Sequence, residues 1–247
     1  MCGDLLTQTS ARDPPLPSAK RRWTFWRALR WVALVLLIFL LAPYVIAPFY
    51  RVINPVSTLM LWRYMTGQRV ERSWVPLSQI SPAVPRAVIA AEDGRFCFHR
   101  GIDTAELKEA MADAQAGEAA RGASTITQQT AKNLFLWGGR SYVRKALEIP
   151  LALWLERVLG KQRILEIYLN IAEWGPNGEF GVEAGARRAF GIGAAGVTAP
   201  QAALLASVLP NPVRRSAKTP GPGLRRIAGI HLRRMGAANI DVCLRAR

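Results

Sequence analysis

The longest apolar run in the chain sets its first element. From Trp31 to Tyr50 twenty consecutive positions, WVALVLLIFLLAPYVIAPFY, carry no charge. At about 1.5 Å per residue a helix of that length crosses a hydrocarbon core of about 30 Å. Trp23, Trp26 and Trp31 at one end, and Tyr44, Phe49 and Tyr50 at the other, fit interfacial aromatic belts. Lys20, Arg21, Arg22, Arg27 and Arg30 crowd the near side, and Arg51 alone lies as close on the far side. The positive-inside rule then predicts a cytoplasmic N-terminus and an exported segment from 51 to 247. A cleaved signal peptide is the alternative. Its apolar region runs about 7–15 residues to a small-residue site, whereas Ala42 and Ala47 are each followed by proline. An uncleaved anchor is expected.

Beyond the anchor, helical spacing dominates. Val84, Val88 and Ala91 repeat on one face until Gly94 stops the run. Asp103 can cap a helix through Ala114, with Glu106 completing a capping box. A helix follows Ser124, another runs from Ser141 to Leu159 with Gly160 just past its end and Pro150 kinking it, and a further one spans 161–172. Trp174 to Gly178 is a loop. Thr198 opens a helix to Leu209, with Pro200 in its first turn and Gln201 as capping-box partner. Little alternates as β, no repeat is visible, and the domain is expected to be mainly α.

Half the residues are apolar and 20% charged, which excludes a disordered chain. Three cysteines (Cys2, Cys97, Cys243) exclude a disulfide scaffold. Cys97 and Cys243 pair or remain two buried thiols; spacing does not decide. The net charge of +16 points to an anionic partner. Residues 51–247 hold 27 basic and 15 acidic side chains, and for an exported domain the available anions are lipid headgroups and lipid-linked phosphates, with no nucleic acid.

Four clusters carry candidate chemistry. Glu92 and Asp93 end an apolar helix against Phe96, Phe98 and His99, where lost solvation raises a carboxylate's pKa toward general-base use; helix-end capping is the plainer reading. Thr125, Gln128, Gln129 and Lys132 share a helix face without an acid, and free N–H groups near Ser124 add to an array suited to phosphate or sugar hydroxyls. Arg144 and Glu148 stand one turn apart beside Lys145, a pattern that by itself reads as a surface salt bridge. Glu166 and Asn170 read as scaffold, and His231 as a solvated histidine.

Together these segments resemble the peptidoglycan glycosyltransferases, which polymerise cell-wall glycan from lipid II. The matches are E-D-x-x-F-x-x-H-x-G from Glu92 to Gly101, G-x-S-T-I-T-Q-Q from Gly122 to Gln129 with Lys132, and R-K-x-x-E at Arg144, Lys145 and Glu148. K-x-x-I-L-E-x-Y-L-N follows from Lys161 to Asn170, then G-V-E-A-G-A-R-x-x-F-G from Gly181 to Gly191, with Gly185 where a small residue such as alanine is usual. The chain is most similar to the monofunctional, proteobacterial-type branch; no Ser-x-x-Lys of a transpeptidase occurs in it.

The resemblance implies a lysozyme-like, mostly helical domain at 76–212. Before it lie a basic tail (1–30), the anchor (31–50) and a linker (51–75); a basic extension (213–247) follows. It implies transfer of a lipid-linked MurNAc to the 4-hydroxyl of a GlcNAc with inversion, releasing undecaprenyl pyrophosphate. Glu92 matches the general base. Glu148 is the second catalytic candidate, orienting Arg144 and Lys132. Asp93, Phe96 and His99 are expected on the acceptor side and Ser124 and Thr125 toward the donor. Gly122, Gln128, Gln129, Lys132, Arg144, Lys145 and Asn170 complete the substrate-binding set. No cofactor is required and no metal ligands are assigned, with Mg2+ or Mn2+ on the pyrophosphate left open. Expected partners are lipid II, the growing glycan, inner-membrane lipids and proteins of the division or elongation machinery. Phe135, Leu136 and Trp137 read either as core or as a membrane-dipping flap. A membrane-anchored muramidase and a non-enzymatic adaptor stay as alternatives.

Overall fold

A computed structural model describes residues 19–116, 124–139, 141–237 and 240–244, with side chains from Trp26 onward except that of Ala114. The first helix, α1 (Ala19–Ile46), starts well before the uncharged run and stops inside it at Ile46, because Ala47–Arg51 tightens into a 3-10 turn around Pro48. Trp26–Arg51 is long and apolar enough to cross a membrane.

The compact unit begins at Pro43. Its helices are α2 (Thr58–Met65), α3 (Ala83–Glu92), α4 (Thr104–Gln115), α5 (Ile126–Phe135), α6 (Tyr142–Leu159), α7 (Lys161–Ile171), α8 (Val182–Phe190), α9 (Ala199–Val208) and α10 (Pro222–Arg234). Strands β1 (Glu71–Arg72) and β2 (Glu179–Phe180) pair in parallel, Glu71 opposite Glu179. The α character expected from the pattern holds.

Helix α7 lies at the centre. Ile164, Leu165, Ile167, Leu169 and Ile171 are all buried, so its second half is enclosed while Gln162 near its start is exposed. It packs against α5 and α6, while α9 packs between α3 and α10. Thr198 and Gln201 form the expected capping box on α9, and Ser141 caps α6 by accepting from the Arg144 amide. Pro150 sits inside α6 without interrupting it.

Two stretches outside 76–212 belong to the same core. Met60 of α2 is fully buried and Thr58 Oγ1 donates to the Leu136 carbonyl at 2.7 Å. Ala228 and Met235, in and just after α10, and Ile240 beyond them are buried as well. His231 is half-buried rather than solvated. Its Nδ1 lies 3.0 Å from Ser207 Oγ, and burial, then Arg234 and Arg215, push its pKa down. Cys97 and Cys243 are joined in a disulfide with Cα atoms 5.3 Å apart.

Gly185 has a local reason. A Cβ there would stand 2.6 Å from Trp174 Cβ, so the bare helix face receives the buried indole. Gly185→Ala is expected to destabilise by about 1–3 kcal/mol through overpacking, read as a lower denaturant midpoint.

Candidate active site

The site grows from the end of α3 and the start of α5. Asp93, fully buried, accepts the Ile126 amide at 2.9 Å and faces His99 Nε2 at 2.9 Å. A carboxylate thus occupies the positive N-terminal end of α5, satisfying a backbone donor that sequence reasoning left for substrate. The cap is Thr125, not Ser124. Thr125 Oγ1 accepts the Gln128 amide, Gln128 Oε1 accepts the Thr125 amide, and Thr125 donates to the Gly101 carbonyl at 2.6 Å. Gly101 approaches α6 closely: at φ 91°, its Cβ would lie 2.9 Å from the Ala152 carbonyl oxygen.

Thr125 and Gln128 are therefore buried inside a capping box, which removes them from the expected ligand face. Phe96 is fully buried, with Lys161 Nζ 4.3 Å from its ring centre. Asn170 is also in the core, where its side chain accepts the Val75 amide at 2.8 Å and donates to the Val75 carbonyl at 2.9 Å. These residues, with Asp93 and His99, build the frame. Gly122 lies outside the described residues.

What remains open is a smaller set. Gln129 Nε2 donates to Glu92 Oε2 at 2.9 Å, and the Tyr168 hydroxyl donates to Gln129 Oε1 at 3.0 Å. Burial holds the Tyr168 pKa well above its ordinary value, with Glu92 and Asp93 adding to it. The phenol therefore stays a donor and fixes which end of the amide faces Glu92. Burial raises the Glu92 carboxyl above the usual carboxylate range. The Gln129 hydrogen bond, Lys132 and Arg215 pull against that, and Asp93 adds to it.

A cationic cluster stands close by. Glu148, buried, is paired with Arg144 and, at 2.9 Å, with Lys145. Lys145 also reaches Ser124 Oγ at 2.6 Å. The expected direct partner Lys132 is replaced by Lys145; Lys132 feels Glu148 only through space. Burial lowers the Lys132 pKa, Glu148 opposes that, and Arg144 and Lys145 reinforce it. Gln129 and Lys132 open on a cavity of about 250 Å³.

A family model described as Transglycosylase matches residues 60–235. The chain belongs to the transglycosylase family. It is 59% identical over 217 residues to the biosynthetic peptidoglycan transglycosylase of Nitrobacter winogradskyi, covering 88% of this chain and 96% of the relative. The protein of that name from Rhodopseudomonas palustris is 57% identical over 231 residues, 94% of this chain and 97% of the relative. The one from Rhizobium johnstonii is 50% identical over 230 residues, 92% and 94% of the two chains.

In this transglycosylase, sequence reasoning missed Tyr168 and Arg215 as neighbours of Glu92. Tyr168 was within reach, inside the matched K-x-x-I-L-E-x-Y-L-N segment; Arg215 lies between α9 and α10 with no local signal. A pH consequence follows from the Gln129 contact. If Glu92 must be ionised to work, activity falls as pH drops through its raised pKa. Gln129→Leu removes a bond that favours the ionised form, so the acid limb of kcat/KM is expected to move to higher pH. A pH–rate profile of the two proteins measures the shift.

Proposed function

We propose that this chain polymerises lipid II into β-1,4-linked peptidoglycan glycan with inversion at the donor carbon. Glu92 removes the proton from the acceptor 4-hydroxyl as that oxygen bonds the anomeric carbon. The bond from that carbon to the pyrophosphate oxygen breaks, and its electron pair leaves with undecaprenyl pyrophosphate. The observation that carries this is the pairing of one half-buried carboxylate, its pKa raised by desolvation, with a cluster of Lys132, Arg144 and Lys145. The leaving group is an anion already, so it needs charge stabilisation more than an acid. Gln129 aims Glu92, and Glu148 holds Arg144 and Lys145 in place.

Mg2+ or Mn2+ enters this reading only as company of the substrate pyrophosphate. Glu148 gives its two oxygens to Arg144 and Lys145, and such a cationic surround does not fit a dedicated divalent site. A neutral glycan would call for no such cluster, which sets the muramidase reading behind the polymerase.

The same reading places α1 in the inner membrane, N-terminus inside, with the catalytic unit outside. Exposed Leu59, Leu61, Trp62 and Met65 on α2, with Trp137, Tyr142 and Val143 before and within α6, fit contact with lipid. Phe135 and Leu136 do not share that exposure: Leu136 is buried and Phe135 stacks on Tyr50 at 5.9 Å. Division or elongation proteins are proposed partners on the resemblance alone.

The test is turnover of labelled lipid II by the full chain in detergent. Long glycan that a β-1,4-specific muramidase digests is expected. Intact lipid II alongside cleavage of purified wall glycan would replace the polymerase with a hydrolase.

A further inference from the structure

Glu92 and Asp93 line another cavity, of about 530 Å³, distinct from the one on which Gln129 and Lys132 open. Three segments wall it: the turn after α3 with Arg95 and Phe98, α4 with Glu106 and Glu109, and the end of α10 with Arg234. Cations and acids therefore face one space. Among the described residues, Glu106, Glu109 and Arg234 make no ion pair, and Arg95 reaches Asp103 only at 3.4 Å.

The far wall is held to the element that carries Glu92. Arg86 of α3 donates to Asp241 at 2.8 Å and to the Met235 carbonyl at 2.6 Å, and the Cys97–Cys243 disulfide adds a covalent tie. Arg234 is thus set relative to Glu92 by a fixed frame, as a binding wall requires. Burial raises the Glu106 carboxyl above its usual range, and Asp93, Asp103 and Glu109 push it further. A cation brought beside Glu106 would oppose that rise and favour its ionised form.

Sugar hydroxyls need no such mixture. A wall peptide does, because cross-linking requires a free amine on one strand and a carboxyl-derived end on another. We propose that this cavity receives the peptide of the lipid-linked precursor, with Glu106 and Glu109 taking its free ammonium and Arg95 and Arg234 its carboxylates. This rests on the reading of the chain as a lipid II polymerase. The cavity sorts substrates by their peptide while the cluster around Lys132 handles the pyrophosphate.

Three substrates and the full chain in detergent test it: lipid II with a pentapeptide bearing a free side-chain amine, the same molecule N-acetylated, and the lipid-linked disaccharide without peptide. The double variant Glu106→Gln/Glu109→Gln is expected to raise KM for the first about tenfold at little-changed kcat, and to leave the acetylated substrate unaffected. Arg234→Gln is expected to raise KM for both peptide substrates and not for the third. Equal KM of the unaltered protein for the first and third substrates, or equal losses by the variants on all three, would overturn the subsite while leaving the polymerase standing. If none of the three is polymerised, the polymerase reading fails. The subsite then stands or falls on calorimetric binding of soluble muramyl pentapeptide, which Arg234→Gln is expected to weaken and whose absence would overturn it.

Discussion

Glu92→Gln is expected to lower the rate of glycan formation by about 10²–10⁴-fold, the usual worth of a positioned general base, while leaving the protein at least as stable. The two halves come from one cause. Burial raises the folded-state pKa of Glu92, so ionisation weighs against the folded state. That cost is absent below the unfolded pKa and fully present above the folded one. At neutral pH the neutral amide removes it. Thermal melting beside lipid II turnover reads both. A variant that keeps its rate would show that Glu92 is not the base, and one that loses rate only by unfolding would show Glu92 to be scaffold.

Asp93→Ala is expected to do the reverse, costing about 3 kcal/mol of stability and lowering activity through position. Asp93 is fully buried and joins the end of α3 to the first turn of α5 and to His99. Its loss strands the Ile126 amide and His99 Nε2 in a ring whose Nδ1 already lacks a partner. Asp93→Asn keeps an acceptor oxygen and is expected to lose less. Denaturant midpoints rank the three proteins, and a loss below about 1 kcal/mol for the alanine variant would contradict the assigned role.

The adjacent carboxylates Glu92 and Asp93 show where a sequence stops being readable. Local rules found both at a helix end. Which one meets a helix N-terminus 33 residues later, and which takes the Gln129 amide, depends on packing that no local pattern encodes. Asn170 is a similar case, since its partner Val75 lies 95 residues away. Where the partner is near, the reading worked: Ser141 and Thr198 cap the helices they were expected to cap. The Thr125 cap was legible too, because Thr125 and Gln128 obey the same spacing as Thr198 and Gln201.

Helices α2 and α10 are the hardest to read, for different reasons. Leu59, Leu61, Trp62 and Met65 of α2 are exposed, so its apolar residues do not mark a buried stripe. In α10 only Ala228 is buried, and the arginine pairs at 225–226 and 233–234 give the stretch the look of a basic tail. The grouping of Arg144 and Lys145 around Glu148 was the most legible contact in the sequence. Arg144, Lys145 and Glu148 stand within two helical turns, and only burial of Glu148 separates them from an ordinary surface pair.

The bond between Cys97 and Cys243 closes a ring around every matched segment after the first. If the segment after α1 is exported in chain order with the N-terminus held inside, Cys97 emerges 146 residues ahead of its partner. Throughout that interval it is a lone thiol, five positions from Glu92, open to mispairing with other exported chains. Correct sealing must therefore wait for the last stretch to be delivered, so the rate of export itself becomes a determinant of how much native enzyme is made.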